Sequence, residues 1–108
     1  MIARVWRGSV PNDKAEGYER YLADSDRGVR DYRSTRGNRG AALLRRAIGD
    51  RVEFVLISFW ESEAAIREYA GPDIGRARYF DYDLECLIEP DPTVAHYEVV
   101  PENTGIHD

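Results

Sequence analysis

Two apolar runs, residues 40–48 and 51–60, are separated only by Gly49-Asp50, and this pair constrains the fold more than any other stretch of the chain. Glycine first in a two-residue loop is the signal of a type II′ hairpin, whose twist matches that of the strands it joins. Such a loop sets the register: Ile48 pairs with Arg51, and every other position follows by counting outward. One face then carries Ala42, Leu44, Val55, Ile57 and Phe59, and the other Ala41, Leu43, Arg45, Phe54, Leu56, Ser58 and Trp60. An antiparallel sheet with one wet face alternates apolar with polar residues. This hairpin is apolar on both sides.

The flanking segments supply the remaining elements. Residues 2–10 read as a strand, in which Ala3 and Val5 alternate with Arg4 and Trp6 before Pro11 ends the run. Asn12 and Asp13 offer an N-cap, with Glu16 three residues after Asp13 in a capping-box arrangement. Tyr18, Tyr21 and Leu22 follow at helical spacing to about residue 24. Residues 25–39 are polar and read as a loop able to reach over a neighbouring site. Ser62 caps a second helix with Ala65, Ile66, Tyr69 and Ala70 on one face, stopped by Gly71-Pro72. In residues 73–88, Ile74, Ala77, Tyr79 and Phe80 suggest a short helix and residues 84–88 an extended piece. Residues 93–100 read as a last strand, and 101–108 as a polar tail. The order β-α-β-β-α-β is that of an α+β, ferredoxin-like domain with both helices on one face of a four-stranded antiparallel sheet, filling residues 1–100.

Helices cover only one of the two apolar faces. Leaving Leu43, Phe54, Leu56, Trp60 and Trp6 exposed would forgo about 1.5–3 kcal/mol each, about 7–15 kcal/mol together. That matches the whole stability of a small domain, about 5–15 kcal/mol. The expectation is a homodimer that lays this Trp60-bearing face against a second copy and encloses a cavity between the sheets.

Composition narrows the classes of function. A net charge of −5 provides no basic footprint for nucleic acid. No apolar run approaches the roughly 20 residues of a membrane span, and residues 1–7 interrupt their apolar character with Arg4 and Arg7, unlike a signal peptide. One cysteine, Cys86, permits no internal disulfide and suits a reducing cytoplasm. Two histidines and one cysteine offer no metal-ligand spacing. No metal site is expected.

The helix pattern, the hairpin, the segment Trp60-Glu61-Ser62-Glu63-Ala64-Ala65-Ile66 and the ending Val94-Ala95-His96-Tyr97-Glu98-Val99 resemble the antibiotic biosynthesis monooxygenase-like family, over about residues 1–100. The resemblance implies a dimeric α/β barrel with a mostly apolar cavity. Two kinds of enzyme in that group bear on this chain, beside many relatives with no assigned activity. Some members oxidise polycyclic phenols to quinones with molecular oxygen and no cofactor. Others degrade haem, using an asparagine on the first strand, a tryptophan ending the third and an iron-ligating histidine after the second helix. Trp60 matches that tryptophan. The first strand has Trp6 and Arg7 where the asparagine belongs, and residues 71–87 contain no histidine. The expectation is therefore a pocket without cofactor, and not a haem site.

The candidate site follows from the face assignment. Trp60 and Trp6 would stack on a flat substrate, with Phe54, Leu56 and Ser58 beside them, although core packing explains Trp60 equally simply. Arg4 would bind a substrate oxygen, or else pair with an acidic neighbour. His96, with an ordinary pKa near 6.5, could take a phenolic proton at neutral pH, or be hydrogen-bonded and inert. Asp81, Asp83 and Glu85 read as a solvated edge before a cation site, and Cys86 as a small buried hydrophobe. Tyr32 with Arg33, Arg36 and Arg39 could close over an anion or serve solubility alone. Two functions result: a monooxygenase acting on a small phenolic substrate, and a non-catalytic ligand-binding or structural barrel.

Overall fold

A computed structural model describes residues 1–24 and 35–100. Its elements are β1 (Ile2–Pro11), α1 (Ala15–Asp24), β2 (Asn38–Ile48), β3 (Arg51–Trp60), α2 (Glu63–Ala70), α3 (Asp81–Cys86) and β4 (Ala95–Glu98). The strands form one antiparallel sheet in the order β2-β3-β1-β4. This is the expected α+β, ferredoxin-like architecture. Of the expected loop over 25–39, residues 25–34, including Tyr32 and Arg33, fall outside the described residues, as does the tail from 101, while β2 already begins at Asn38.

The hairpin forms as the loop dictates. Ile48 pairs with Arg51 and Leu43 with Leu56. Gly49 takes a φ of 60°, while Asp50 stays at negative φ, the combination that defines type II′. Ser62 caps α2, its hydroxyl accepting from the Ala65 N–H at 3.2 Å. The start of α1 departs from expectation: a 3-10 turn over Asn12–Lys14 follows Pro11 with no side-chain cap. Here Asn12 N–H donates to the Asp50 carbonyl at 3.1 Å, tying the turn to the hairpin loop.

The third helix lies seven residues later than its apolar spacing suggests. Residues 74–77 are drawn into pairing with the chain before β4 instead, through Val94 N–H to the Gly75 carbonyl and Ala77 N–H to the Pro92 carbonyl. Tertiary hydrogen bonds override a weak local preference there. The helix begins after Phe80, whose N–H donates back to the Asp83 carboxylate at 2.9 Å.

The core decides which face the helices cover. Along β3 burial alternates strictly, with Val52, Phe54, Leu56, Ser58 and Trp60 buried and their odd-numbered neighbours half-buried. Ala15, Tyr18 and Leu22 of α1, Ile66 of α2, and Cys86 and Leu87 at the end of α3 close over that even-numbered face. The expected assignment is thereby reversed. Trp60, Phe54, Leu56 and Ser58 belong to the core beneath the helices. The face left open carries Val5, Ala42, Leu44, Val55, Ile57, Phe59 and Tyr97, with Leu44 49% and Tyr97 59% exposed. Both faces of the hairpin carry apolar residues, and docked helices, unreadable from strand residues, distinguish them.

Candidate functional site

Strand register gathers the predicted residues on one side of the sheet. Arg4 stands opposite His96 on β4 and opposite Ser58 on β3, while Trp6 faces Leu56. Opposed residues project to the same side. His96, Arg4, Trp6, Leu56, Phe54, Ser58 and Trp60 therefore share the helix-covered face, not a chamber between two sheets.

They divide into wall and packing. Arg4, Trp6 and Leu56 line a cavity of about 30 Å³ between the sheet and α1, together with Tyr18, Leu22, Tyr69, Arg78, Tyr79, Asp83 and Val94. Phe54 packs its ring edge-on against Tyr18 at 5.7 Å. Trp60 lies 5.7 Å from the Tyr69 ring and donates from Nε1 to the Ser58 hydroxyl at 2.8 Å. These three are neighbours of the cavity and not part of its wall. Outside, an open depression of about 430 Å³ is lined by Ala70, Pro72, Asp73, Arg76, Ala77, Arg78 and Tyr79. Arg78 and Tyr79 line both spaces and so form the partition between them.

Gly8 sets the attitude of Trp6. It lies two residues further along the same face, and a Cβ there would sit 2.5 Å from the Trp6 ring and 2.8 Å from Leu87. Without it the indole lies across the strand, and Nε1 donates to the Tyr79 hydroxyl at 3.0 Å. That hydroxyl donates onward to the Asp91 carbonyl at 2.6 Å. Residues 71–80, which contain neither helix nor strand, roof the cavity on such bonds.

Arg4 is 1% exposed. Its Nη1 donates to the Ile74 carbonyl at 2.6 Å and to His96 Nε2 at 3.0 Å, and Nη2 reaches the Arg76 carbonyl at 3.4 Å. A guanidinium only donates, so His96 Nε2 must accept, and the imidazole proton sits on Nδ1. Burial, and then the Arg4 charge, hold the His96 pKa below its ordinary 6.5, partly offset by Glu63. His96 is neutral at pH 7. Unfolding restores the ordinary value, so the unfolded chain binds more protons as pH falls. Stability from this group is present above pH 6.5 and is lost as pH drops below it. Wild type should thus lose more thermal stability between pH 7 and 5 than His96→Gln, and parallel curves would count against the contact.

The acidic segment contains what the sequence reading missed. Asp83 is buried, not solvated, and accepts from the Tyr18 hydroxyl at 2.7 Å and the Tyr21 hydroxyl at 3.1 Å. Burial and the adjacent carboxylate push the Tyr18 pKa well above its ordinary 10, so the phenol stays protonated and donates. The alternation Asp81-Tyr82-Asp83 carried no signal for this, because the partners lie about 60 residues away. Asp83→Ala would orphan a buried hydroxyl and the Phe80 N–H, at about 2–4 kcal/mol. In a Tyr18→Phe background that cost should shrink by about 1 kcal/mol, measured by a double-mutant cycle in urea. Strictly additive losses would rule out the bond.

The model of the family described as Antibiotic biosynthesis monooxygenase matches residues 1–73. No curated protein matches the chain significantly. Among solved structures, Rv0793 from Mycobacterium tuberculosis is similar at 24% identity and a TM-score of 0.62, over 95% of this chain and 98% of that one. An arginine-to-serine variant of MhuD is similar at 21% identity and a TM-score of 0.63, over 93% and 95%. That MhuD structure holds two manganese protoporphyrin IX molecules per active site. The expectation of a cofactor-free pocket is corrected by this finding: the fold accommodates porphyrins, and missing motif residues do not argue one away. The lining here combines aromatic side chains with the guanidinium groups of Arg4 and Arg78 around a volume of only about 30 Å³.

Proposed function

This chain belongs to the antibiotic biosynthesis monooxygenase family, and from that premise we propose that it binds a small flat aromatic molecule between sheet and helices and oxidises it with molecular oxygen. The observation that carries this reading is the grouping of Trp6, Tyr69 and Tyr79 around the buried guanidinium of Arg4, under a roof of irregular chain. Aromatic faces favour a planar ring. Ligand sites generally span about 300–1,000 Å³, so entry requires Arg78 and Tyr79 to swing aside and join the cavity to the outer depression.

His96 is the proton acceptor in this proposal. A phenol arriving beside Arg4 displaces the guanidinium from Nε2, and its hydroxyl proton passes to that nitrogen. The phenolate that results lies against Arg4, and its ring is electron-rich enough to be oxidised. Phe54, Ser58 and Trp60 support the wall from behind. Where a porphyrin binds, Trp6, Leu22 and Leu56 would meet the ring and Arg4 a carboxylate; the metal would supply oxygen activation.

A homodimer through the open face completes the reading, since Val5, Val55, Ile57 and Phe59 otherwise stay half-exposed. No helix among the described residues is long and apolar enough to cross a membrane. The single cysteine, Cys86, is buried and forms no disulfide, which suits a reducing cytoplasm, where we place the protein.

Oxygen uptake with an anthrone-type phenol tests the proposal, run alone and after titration with haemin followed at the Soret band. Uptake that falls at least tenfold in His96→Ala is expected. Equal rates in the two proteins would remove His96 from the chemistry. No uptake in either condition would leave the second reading, a non-catalytic ligand-binding barrel, which the small volume of the cavity favours.

A further inference from the structure

Arg4 carries a permanent charge into the core, and what surrounds that charge is incomplete. Removing a guanidinium from water costs several kcal/mol, which good geometry and a counter-charge ordinarily offset. Among the described residues no carboxylate comes within ion-pair distance of Arg4. Its compensation consists of neutral acceptors, the Ile74 and Arg76 carbonyls and His96 Nε2. The nearby buried carboxylate, Asp83, is occupied by two tyrosyl hydroxyls and a backbone N–H.

The shortfall has a direction. Both bonds of Nη1 are short, whereas Nη2 has only a 3.4 Å contact and the buried Nε has no acceptor at all among the described residues. Nε and Nη2 donate along the same edge of the guanidinium, the edge that grips a carboxylate with two parallel bonds. Arg4 also lines the cavity, whose lining includes Trp6, Tyr69 and Tyr79 and, already saturated by its tyrosyl donors, Asp83.

We infer that the ligand of this cavity is an anion, an aromatic carboxylate or comparable planar oxyanion, held bidentately on the Nε edge of Arg4 with its ring against the aromatic wall. The inference rests on the reading of the cavity as a ligand site and adds charge to its specificity. Arg78, at the partition, stacks over the Tyr69 and Phe80 rings at 4.8 and 5.1 Å and donates to the Tyr69 carbonyl. It is the competing cation that a test must separate.

Two probes with one ring and different charge decide the matter: 2-naphthoate and 2-naphthalenemethanol, titrated into the full chain and followed by tryptophan quenching. Wild type is expected to bind the naphthoate at least tenfold more tightly than the alcohol. Arg4→Met should abolish that preference by weakening the acid and sparing the alcohol, Arg4→Lys should fall between because it lacks the fork, and Arg78→Met should keep the preference. Equal affinities in wild type would overturn the inference while leaving the cavity as a ligand site. Binding of neither probe would overturn both. A preference lost in Arg78→Met would overturn it by moving the anion to the partition. Arg4→Met also loses its roof contacts and could misfold; wild type with the two probes, and Arg78→Met, decide the question without it.

Discussion

Replacing Trp60 by alanine is expected to cost about 3–5 kcal/mol of folding stability, a large part of the total for a domain of this size. The indole is fully buried at the end of β3, packed on Tyr69, and its Nε1 engages the equally buried Ser58 hydroxyl. Truncation opens a void that the central strand cannot collapse to fill, and leaves Ser58 without its donor. Trp60→Phe keeps most of the packing and should cost clearly less, giving a folded variant on which the loss can be measured. The readout is the urea midpoint at unchanged slope. A loss below about 1 kcal/mol for the alanine variant would mean that Trp60 borders an open chamber, as the strand pattern alone suggested.

Three residues earlier on the same strand, Ile57→Glu should leave the protomer folded and dissociate the proposed dimer. Ile57 projects from the opposite face, between Val5 on β1 and Ala42 on β2. In a single chain the new carboxylate points into water. In a sheet-to-sheet dimer it would be trapped among apolar side chains from both copies, unpaired, at a cost of several kcal/mol. The expected weakening is at least about 1,000-fold in dissociation constant, about 4 kcal/mol. Sedimentation equilibrium reads it directly against the 12.4 kDa protomer mass. If wild type itself sediments as a monomer at micromolar concentration, the open face has some other use and the dimer is abandoned.

The two substitutions bracket what was legible. Register was legible to the residue, because the two-residue loop Gly49-Asp50 leaves no slack and side chains alternate with period 2. That Arg4, Trp6, Leu56, Ser58, Trp60 and His96 share a side is a consequence of that register and of β1 lying between β3 and β4. The side itself was misjudged. Both faces of the hairpin are apolar, and strand residues carry no mark of whether a helix or a second sheet lies above them.

Other features depended on contacts far apart in the chain. Asp83 reads as one member of an exposed acidic alternation until Tyr18 and Tyr21 arrive from α1 to donate to it. Residues 74–77 have helical apolar spacing, yet the hydrogen bonds offered by residues 92 and 94 take them elsewhere. Ser62, in contrast, caps its helix as expected, since a cap needs only a hydroxyl three residues from the N–H that it accepts.

Local chemistry thus determined the element order, the hairpin turn, the pairing register and the presence of two apolar sheet faces, because each depends on residues within a few positions of one another. Only the tertiary structure decided which face became core, where the third helix began, and that Arg4 and His96 meet at 3.0 Å beneath an aromatic wall. Burial is a property of what lies above a residue, and for a sheet that covering comes from distant parts of the chain.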